Sequence, residues 1–263
     1  MTPRQAVRER PEVVVAMLAA AALAWWWTIQ RMAGMDAGPG SDLGTLGWFT
    51  GVWVVMMAAM MLPSLTPTAA VYAALVRREP SRVLSFAAGY LFVWSVAGVL
   101  AYGLFELGRS LFADALAWRS GGRWLVAGVL VLAAAYQLTP YKRAFLRRCR
   151  GPLHFLRTEW RESRSGAFAM GLHSGGWCLG CSWALMAVLF ALGVMSLTWM
   201  ALIAGLVALE KVGPWGGAAK GATAAVLVVL AVAILALPHD VPGFVVPAHG
   251  AMQAMGAMGI GAG

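Results

Sequence analysis

The sequence contains few charged residues. Asp, Glu, Lys and Arg together make up 12% of its 263 residues, whereas hydrophobic residues make up 60%. Charged residues account for roughly a quarter of an ordinary soluble domain, so this composition excludes such a domain and predicts a chain that lies in a lipid bilayer. Cysteine is also scarce, since the sequence has three. Three cysteines are too few for a framework of structural disulfides.

Motifs for nucleotide hydrolysis are missing as well. The sequence has no phosphate-binding G-x-x-x-x-G-K-[ST] loop and no pattern of a nucleophilic triad, and its predicted outer loops are short. We therefore do not expect ATP-driven pumping by this chain alone. A non-enzymatic role is favoured, although an enzymatic one stays open.

Long apolar runs are what the sequence has instead. A helix that crosses the roughly 30 Å hydrocarbon core needs about 20 mostly apolar residues, and several stretches meet this requirement. They lie near residues 12–30, 46–75, 82–106, 122–139, 166–195, 197–214 and 219–237. The sequence therefore predicts an all-α fold, a polytopic transmembrane helical bundle of about seven spans, in which residues 1–237 form a single domain.

Basic residues indicate how this bundle is oriented. Most of them lie near the N-terminus or in alternate loops, and the exceptions are Arg31, Arg109, Arg119 and Arg123. The positive-inside rule then places the N-terminus in the cytoplasm and the C-terminus outside. Membrane topology and contact with the lipid bilayer account for the net charge of +9. Nucleic acid is therefore not a predicted partner.

Two segments lie outside the predicted spans. Residues 141–165 form a basic cytoplasmic loop, which fits either a short amphipathic helix on the membrane surface or a solvated loop. Residues 238–263 form a predicted flexible outer tail. Its soft side chains suit copper capture on the outer side, although the tail also fits a simple low-complexity terminus. These side chains are His239, His249, Met252, Met255 and Met258.

The second span contains four methionines within VVMMAAMMLPSLTP. Met56 and Met60 share one helical face, and so do Met57 and Met61, because residues four apart are neighbours on a helix. Thioether sulfur is a soft ligand that suits Cu(I). The same stripe is also compatible with plain core packing, for which methionine is often used.

The fifth span contains a histidine and a Cys-x-x-C pair within GLHSGGWCLGCSWALM. Cys178 and Cys181 are one turn apart, so a single thiophilic ion can contact both sulfur atoms. His173 lies two turns before Cys181 and meets the same ion only if the helix loosens at Gly175 and Gly176. Two alternatives stay open, because such glycines also admit a neighbouring helix and buried cysteine also packs as a small hydrophobic residue.

Glu210 is a carboxylate within the sixth predicted span, where a charge is costly unless it pairs or coordinates. We expect it to be a partner of another group or a metal ligand, with a helix-end ion pair as the alternative. The adjacent Lys211 is long enough to extend toward the cytoplasm. Since the second span runs inward and the fifth outward, Met56 to Met61 and Cys178 to Cys181 are predicted at a similar depth.

The runs MMAAMMLPS and CLGCSWALMAVLFALGVMSLTWMALIAGLVALEK together resemble a family of uncharacterised bacterial integral membrane proteins described as predicted metal-binding. The likeness covers roughly the second span through the sixth, and it implies a metal site in a protein of the bacterial inner membrane. Members of that family carry a further cysteine directly after the Cys-x-x-C pair, where this chain has Ser182. A three-sulfur site that uses this position is therefore not expected here.

These observations favour a membrane protein that binds a soft transition metal, copper rather than zinc. Transport, sequestration and delivery to another membrane or periplasmic protein all fit this hypothesis. The predicted ligands are Cys178, Cys181, His173, Met56, Met57, Met60, Met61 and Glu210. Two other functions stay open: a non-catalytic scaffold or assembly subunit of a membrane complex, and a membrane thiol-disulfide oxidoreductase that uses the Cys-x-x-C pair.

Overall fold

A computed structural model describes most of the chain. The described residues are 5, 8–32, 43–76, 79–116, 122–151, 155–156, 158–194, 196–213 and 216–236. The predicted His- and Met-containing tail, residues 238–263, lies outside the described residues. Copper capture by that tail therefore stays a prediction.

The described part of the chain is all-helical, as predicted, and it contains no strand. Its helices are, in order, α1 (Pro11–Met32), α2 (Leu46–Leu75), α3 (Pro80–Leu116), α4 (Arg123–Leu138), α5 (Pro140–Arg150), α6 (Arg164–Leu192), α7 (Leu197–Val212) and α8 (Gly216–Ala236). The bounds of α2 are the same as those of the apolar run that predicted it. Helices α1, α4, α6, α7 and α8 correspond to predicted spans with ends that move by up to three residues, whereas α3 continues about ten residues beyond its predicted end.

The number of helices suited to cross a membrane is lower than predicted. The described residues contain 5 candidate spans by length and composition, or 6 if the bent pair of α4 and α5 forms one span. These are α1, α2, α6, the Pro80–Gly108 part of α3 and the Gly217–Ala236 part of α8. The sequence predicted about seven. Helix α7 has only 16 residues, fewer than the about 20 that span the hydrocarbon core.

A sharp bend separates α4 from α5 at Thr139 and Pro140. The residue before a proline is driven out of the helical region. Thr139 is accordingly extended, with φ −67° and ψ 153°. Its hydroxyl oxygen accepts a hydrogen bond from the backbone N–H of Lys142 at 3.2 Å and so caps α5. The two helices meet at 67°. The first part of the predicted basic loop is therefore a helix that folds back against α6.

Glycines bring α3 and α6 into backbone contact. A Cβ atom at Gly171 would collide with the Phe86 carbonyl oxygen, and one at Gly89 would collide with the Phe168 carbonyl oxygen. Close packing against a neighbouring helix was the alternative considered for the glycines of the Cys-x-x-C segment, to which Gly171 belongs. Helix α6 also continues without a break from Arg164 to Leu192, so the glycines do not loosen it.

Replacement of Gly171 by alanine is expected to lower the stability of the fold. The added methyl group meets backbone atoms of α3, which cannot turn aside as a side chain can, and overpacking of this kind costs about 1–3 kcal/mol. Gly176→Ala is the matched control, because a Cβ there has nothing within 4 Å. Thermal unfolding of the detergent-purified variants measures the difference. Equal midpoints for the two variants would show that α3 and α6 are not in close contact.

Candidate metal centre

The three cysteines of the chain come together in the folded protein. Cys149 lies in the last turn of α5, whereas Cys178 and Cys181 lie one turn apart on α6, and all three sulfur atoms are within 4.8 Å of one another. The three are free thiols. Cys178 and Cys181 are buried, and Cys149 is partly exposed. The described residues therefore contain a compact sulfur cluster that spans two helices.

The bend after α4 is what brings Cys149 to this cluster. Helix α5 packs on α6 through the ring of Phe145, whose centroid lies 5.7 Å from that of Trp177. A Cβ atom at Gly180 would strike the Phe145 ring, so this glycine lets α5 approach. The Tyr136 hydroxyl also donates a hydrogen bond to the Gly180 carbonyl at 2.6 Å. These contacts fix α5 beside the Cys-x-x-C turn.

Three side chains from other helices surround Cys178. The Lys211 Nζ atom on α7 donates to the Cys178 Sγ atom at 2.7 Å, and the Tyr90 Oη atom on α3 lies 2.8 Å from the same sulfur. The Met61 Sδ atom on α2 lies 4.0 Å from Cys178 Sγ and 3.7 Å from Lys211 Nζ. The side chain of Lys211 therefore extends into the site, between Cys178 and Met61.

A buried ion pair supports the cluster from the other side. The Glu210 Oε2 atom lies 2.7 Å from the Lys142 Nζ atom, and both side chains are almost fully buried. The Lys142 ammonium group also donates to the carbonyl oxygen of Cys181. Glu210 is thus the partner of a charge, one of the two roles predicted for it, and this pair connects α7 and α5 to the Cys-x-x-C turn on α6.

The remaining predicted ligands lie at different places. Among the predicted methionines it is Met61 whose sulfur contacts the Cys178 thiol, whereas Met56, Met57 and Met60 are buried in the apolar core. His173 is half-exposed, and its Nδ1 atom lies 2.9 Å from the Glu159 Oε2 atom. Because α6 is continuous, the two turns between His173 and Cys181 separate them by roughly 12 Å along the axis.

Among the described residues, Cys149, Cys178 and Cys181 form a group of side chains close enough together to hold one metal ion. Sequence reasoning missed Cys149, which lies in the predicted basic loop of residues 141–165, and it also missed Lys211 and Tyr90 as neighbours of the cysteines. The sequence signal that could have found Cys149 is Thr139-Pro140. A proline at this point ends one helix and starts another, and Cys149 lies on the second of these helices. The third sulfur atom of the cluster thus comes from a different helix, α5.

Cys149 is the most exposed of the three cysteines. A gap of about 10 Å³ borders this residue, together with Thr68, Ser174 and Trp177, and this is roughly the space of one water molecule. The guanidinium group of Arg148 lies 4.2 Å from the centroid of the Trp177 ring, which is a cation–π contact. Both residues of this pair line the gap.

Comparison with known protein families gives a match over most of the chain. A family described as "PpoB2: Copper chaperone" matches residues 50–234. The matched segment begins inside α2 and ends inside α8, so it contains all three cysteines as well as Met61, Tyr90, Lys142, Glu210 and Lys211. Among curated proteins and among solved structures nothing matches.

Proposed function

Since this chain belongs to the PpoB2 copper chaperone family, we propose that it is an integral membrane protein that binds a Cu(I) ion on Cys149, Cys178 and Cys181 and delivers it to another protein. The observation that carries this proposal is the gathering of the three thiols within 4.8 Å of one another. Five or six apolar helices among the described residues support the membrane location, and the charge pattern of the sequence supports an N-terminus in the cytoplasm. The bacterial inner membrane is what the family resemblance of the sequence implies.

The chemistry of the donor set fits Cu(I). Thiolate and thioether sulfur are soft ligands that select Cu(I) among biological metals. A metal–sulfur bond of about 2.3 Å would place the sulfur atoms of a trigonal site roughly 4 Å apart. The sulfur atoms of the cluster lie within 4.8 Å of one another, which is close to this spacing. Zinc sites with a structural role almost always use four protein ligands. The described cluster offers three, which favours copper over zinc.

The surroundings fit a cation held by several thiolates. Such a complex carries a net negative charge, which is costly in an apolar interior. The Lys211 ammonium group, 2.7 Å from Cys178 Sγ, offsets part of this charge. Met61 lies close enough to Cys178 to serve as a further soft contact while the ion enters or leaves.

The partly exposed Cys149 indicates how the ion is exchanged. Copper passes between proteins most readily when a thiol of the donor is accessible to the thiols of the acceptor, because ligands are then replaced one at a time. Cys178 and Cys181 are buried, whereas Cys149 borders the small gap that Arg148 and Trp177 also line. We therefore place the exchange of copper at Cys149. The same burial counts against a thiol-disulfide oxidoreductase that uses Cys178 and Cys181, since an attacking thiol needs access to its partner.

Copper loading of the purified full-length chain tests the proposal. We expect the reduced protein to take up one Cu(I) per chain, X-ray absorption to report coordination by sulfur, and Cys178→Ser/Cys181→Ser to bind none against a competing chelator. Met56→Leu/Met57→Leu serves as the matched control, because these methionines also contain sulfur but lie in the core. Copper uptake that is unchanged in the double-serine variant would refute the proposal, and a scaffold role would then be the better account.

A further inference from the structure

A cavity much larger than the gap beside Cys149 lies between α4, α5 and α8. Its volume is about 480 Å³, which is within the range of about 300–1,000 Å³ for pockets that bind small ligands. Its polar lining comes from Gln137, Arg143, Arg147, Arg150 and Lys220. The proposed copper site uses none of these side chains.

Gln137 is the first sign that the cavity holds a ligand. This residue is fully buried at the end of α4, and neither its amide nitrogen nor its amide oxygen has a hydrogen-bond partner within the described part of the chain. Buried polar groups are nearly always satisfied, since an unpaired amide is costly in an apolar interior. Because Gln137 lines the cavity, a bound molecule there is in a position to satisfy it.

Charge is the second sign. Four of the lining residues are cationic and none of the described lining residues is acidic. Arg150 donates to the Gly213 carbonyl oxygen, but no carboxylate among the described residues forms an ion pair with Arg143, Arg147 or Lys220. Glu210 acts electrostatically on Lys220, yet this carboxylate is already paired with Lys142. Like charges thus face one cavity without a matching anion.

From these two observations we propose that the cavity binds a phosphate group. Arginine matches the oxygen atoms of phosphate with two parallel hydrogen bonds, Lys220 adds a point charge from α8, and the Gln137 amide nitrogen supplies a neutral donor at the buried end. Basic pockets between membrane helices on the cytoplasmic side bind the phosphate of lipid headgroups in this way. Free phosphate presents the same chemistry, and the two sources are separated by the experiment below.

Gln137→Met is the most informative variant, because methionine keeps the length of the side chain and removes both polar atoms. In chloride buffer without phosphate we expect it to unfold at a higher temperature than the unchanged protein, since it no longer buries an unpaired amide. We also expect it to bind phosphate several-fold more weakly. A lower midpoint in chloride, or unchanged phosphate affinity, would contradict a ligand-binding role for Gln137.

Arg143→Gln/Arg147→Gln tests the charge. The full-length protein in detergent is titrated with sodium phosphate against sodium chloride of equal ionic strength, and it is also assayed in nanodiscs of phosphatidylcholine with and without phosphatidylglycerol. We expect the double variant to lose about tenfold in affinity for the phosphate source that the protein uses. Arg161→Gln/Arg164→Gln, which changes exposed arginines outside the cavity, is the matched control.

The outcomes are distinct. Stabilisation by inorganic phosphate in detergent identifies a free phosphate compound as the ligand, and stabilisation by phosphatidylglycerol alone identifies a lipid headgroup. The proposal is overturned if neither source stabilises the unchanged protein, or if both double variants lose affinity equally, since the effect would then be general attraction to basic surface. All measurements use protein without copper, so they do not depend on the proposed copper site.

Discussion

Replacement of Cys149 by serine is expected to lower the affinity for Cu(I) by about a hundredfold or more. Loss of a group that only supports a ligand already costs about 10–100-fold in metal affinity, and Cys149 contributes one of the three sulfur atoms of the cluster. The serine hydroxyl is a hard ligand that does not replace a thiolate for Cu(I). Competition with a coloured Cu(I) chelator, at a series of chelator concentrations, measures the change.

His173→Ala is the matched control for this variant, because the sequence marks His173 and not Cys149 as a ligand. Its imidazole pairs with Glu159 at 2.9 Å and is half-exposed, so we expect the alanine variant to keep the full affinity for copper. The opposite result, with loss at His173 and none at Cys149, would mean that the ion sits near the other end of α6. It would also leave the three-cysteine cluster without a role.

The contrast between these two residues shows where sequence reasoning reaches its limit. Cys149 stands in the run FLRRCRG, in which the flanking arginines argue against a buried site. Its place in the site depends on the 67° bend between α4 and α5, which directs a polar helix against an apolar one. Local patterns describe the surroundings of a residue along the chain, whereas this contact joins residues about thirty positions apart.

His173 fails to join the cluster for a simpler reason. The sequence prediction required the helix to open at Gly175 and Gly176, but the backbone hydrogen bonds of α6 are kept. Gly175 instead faces α3, where an added Cβ would meet Tyr90 and Val93 at 3.0 Å. Glycine in a membrane helix has two uses, flexibility and close packing, and only the position of the neighbouring helix distinguishes them.

Periodic and chemical patterns predicted other features well. The apolar run at 46–75 has the same ends as α2, and the depth argument brought Met61 and Cys178 to the same level, where their sulfur atoms lie 4.0 Å apart. The cost of a buried carboxylate favoured a partner or a metal ion for Glu210, and the structure shows it in an ion pair near the end of α7. The identity of that partner, Lys142, was hidden because α5 carries a basic, solvent-like sequence.

Neutralisation of Glu210 is expected to destabilise the fold strongly. Glu210→Gln keeps the shape of the side chain but leaves the buried Lys142 ammonium group without its countercharge. Removal of one partner of a buried ion pair costs about 3–5 kcal/mol, so the midpoint of thermal unfolding in detergent should fall by several degrees. Glu12→Gln is the matched control, because its partner Arg10 lies 3.5 Å away at an exposed site, where such pairs contribute about 1 kcal/mol or less.

A second substitution distinguishes this ion pair from a general loss of polarity. Lys142→Met/Glu210→Gln removes both charges and leaves no ion unpaired, so we expect it to be more stable than either single variant. If the effects of the two single substitutions simply add, the two groups do not interact. Copper binding supplies an independent readout, because Glu210 lies outside the sulfur cluster. Glu210→Gln protein that is folded should therefore still bind one Cu(I). The role of the ion pair is structural, because it holds α5 and α7 against the Cys-x-x-C turn.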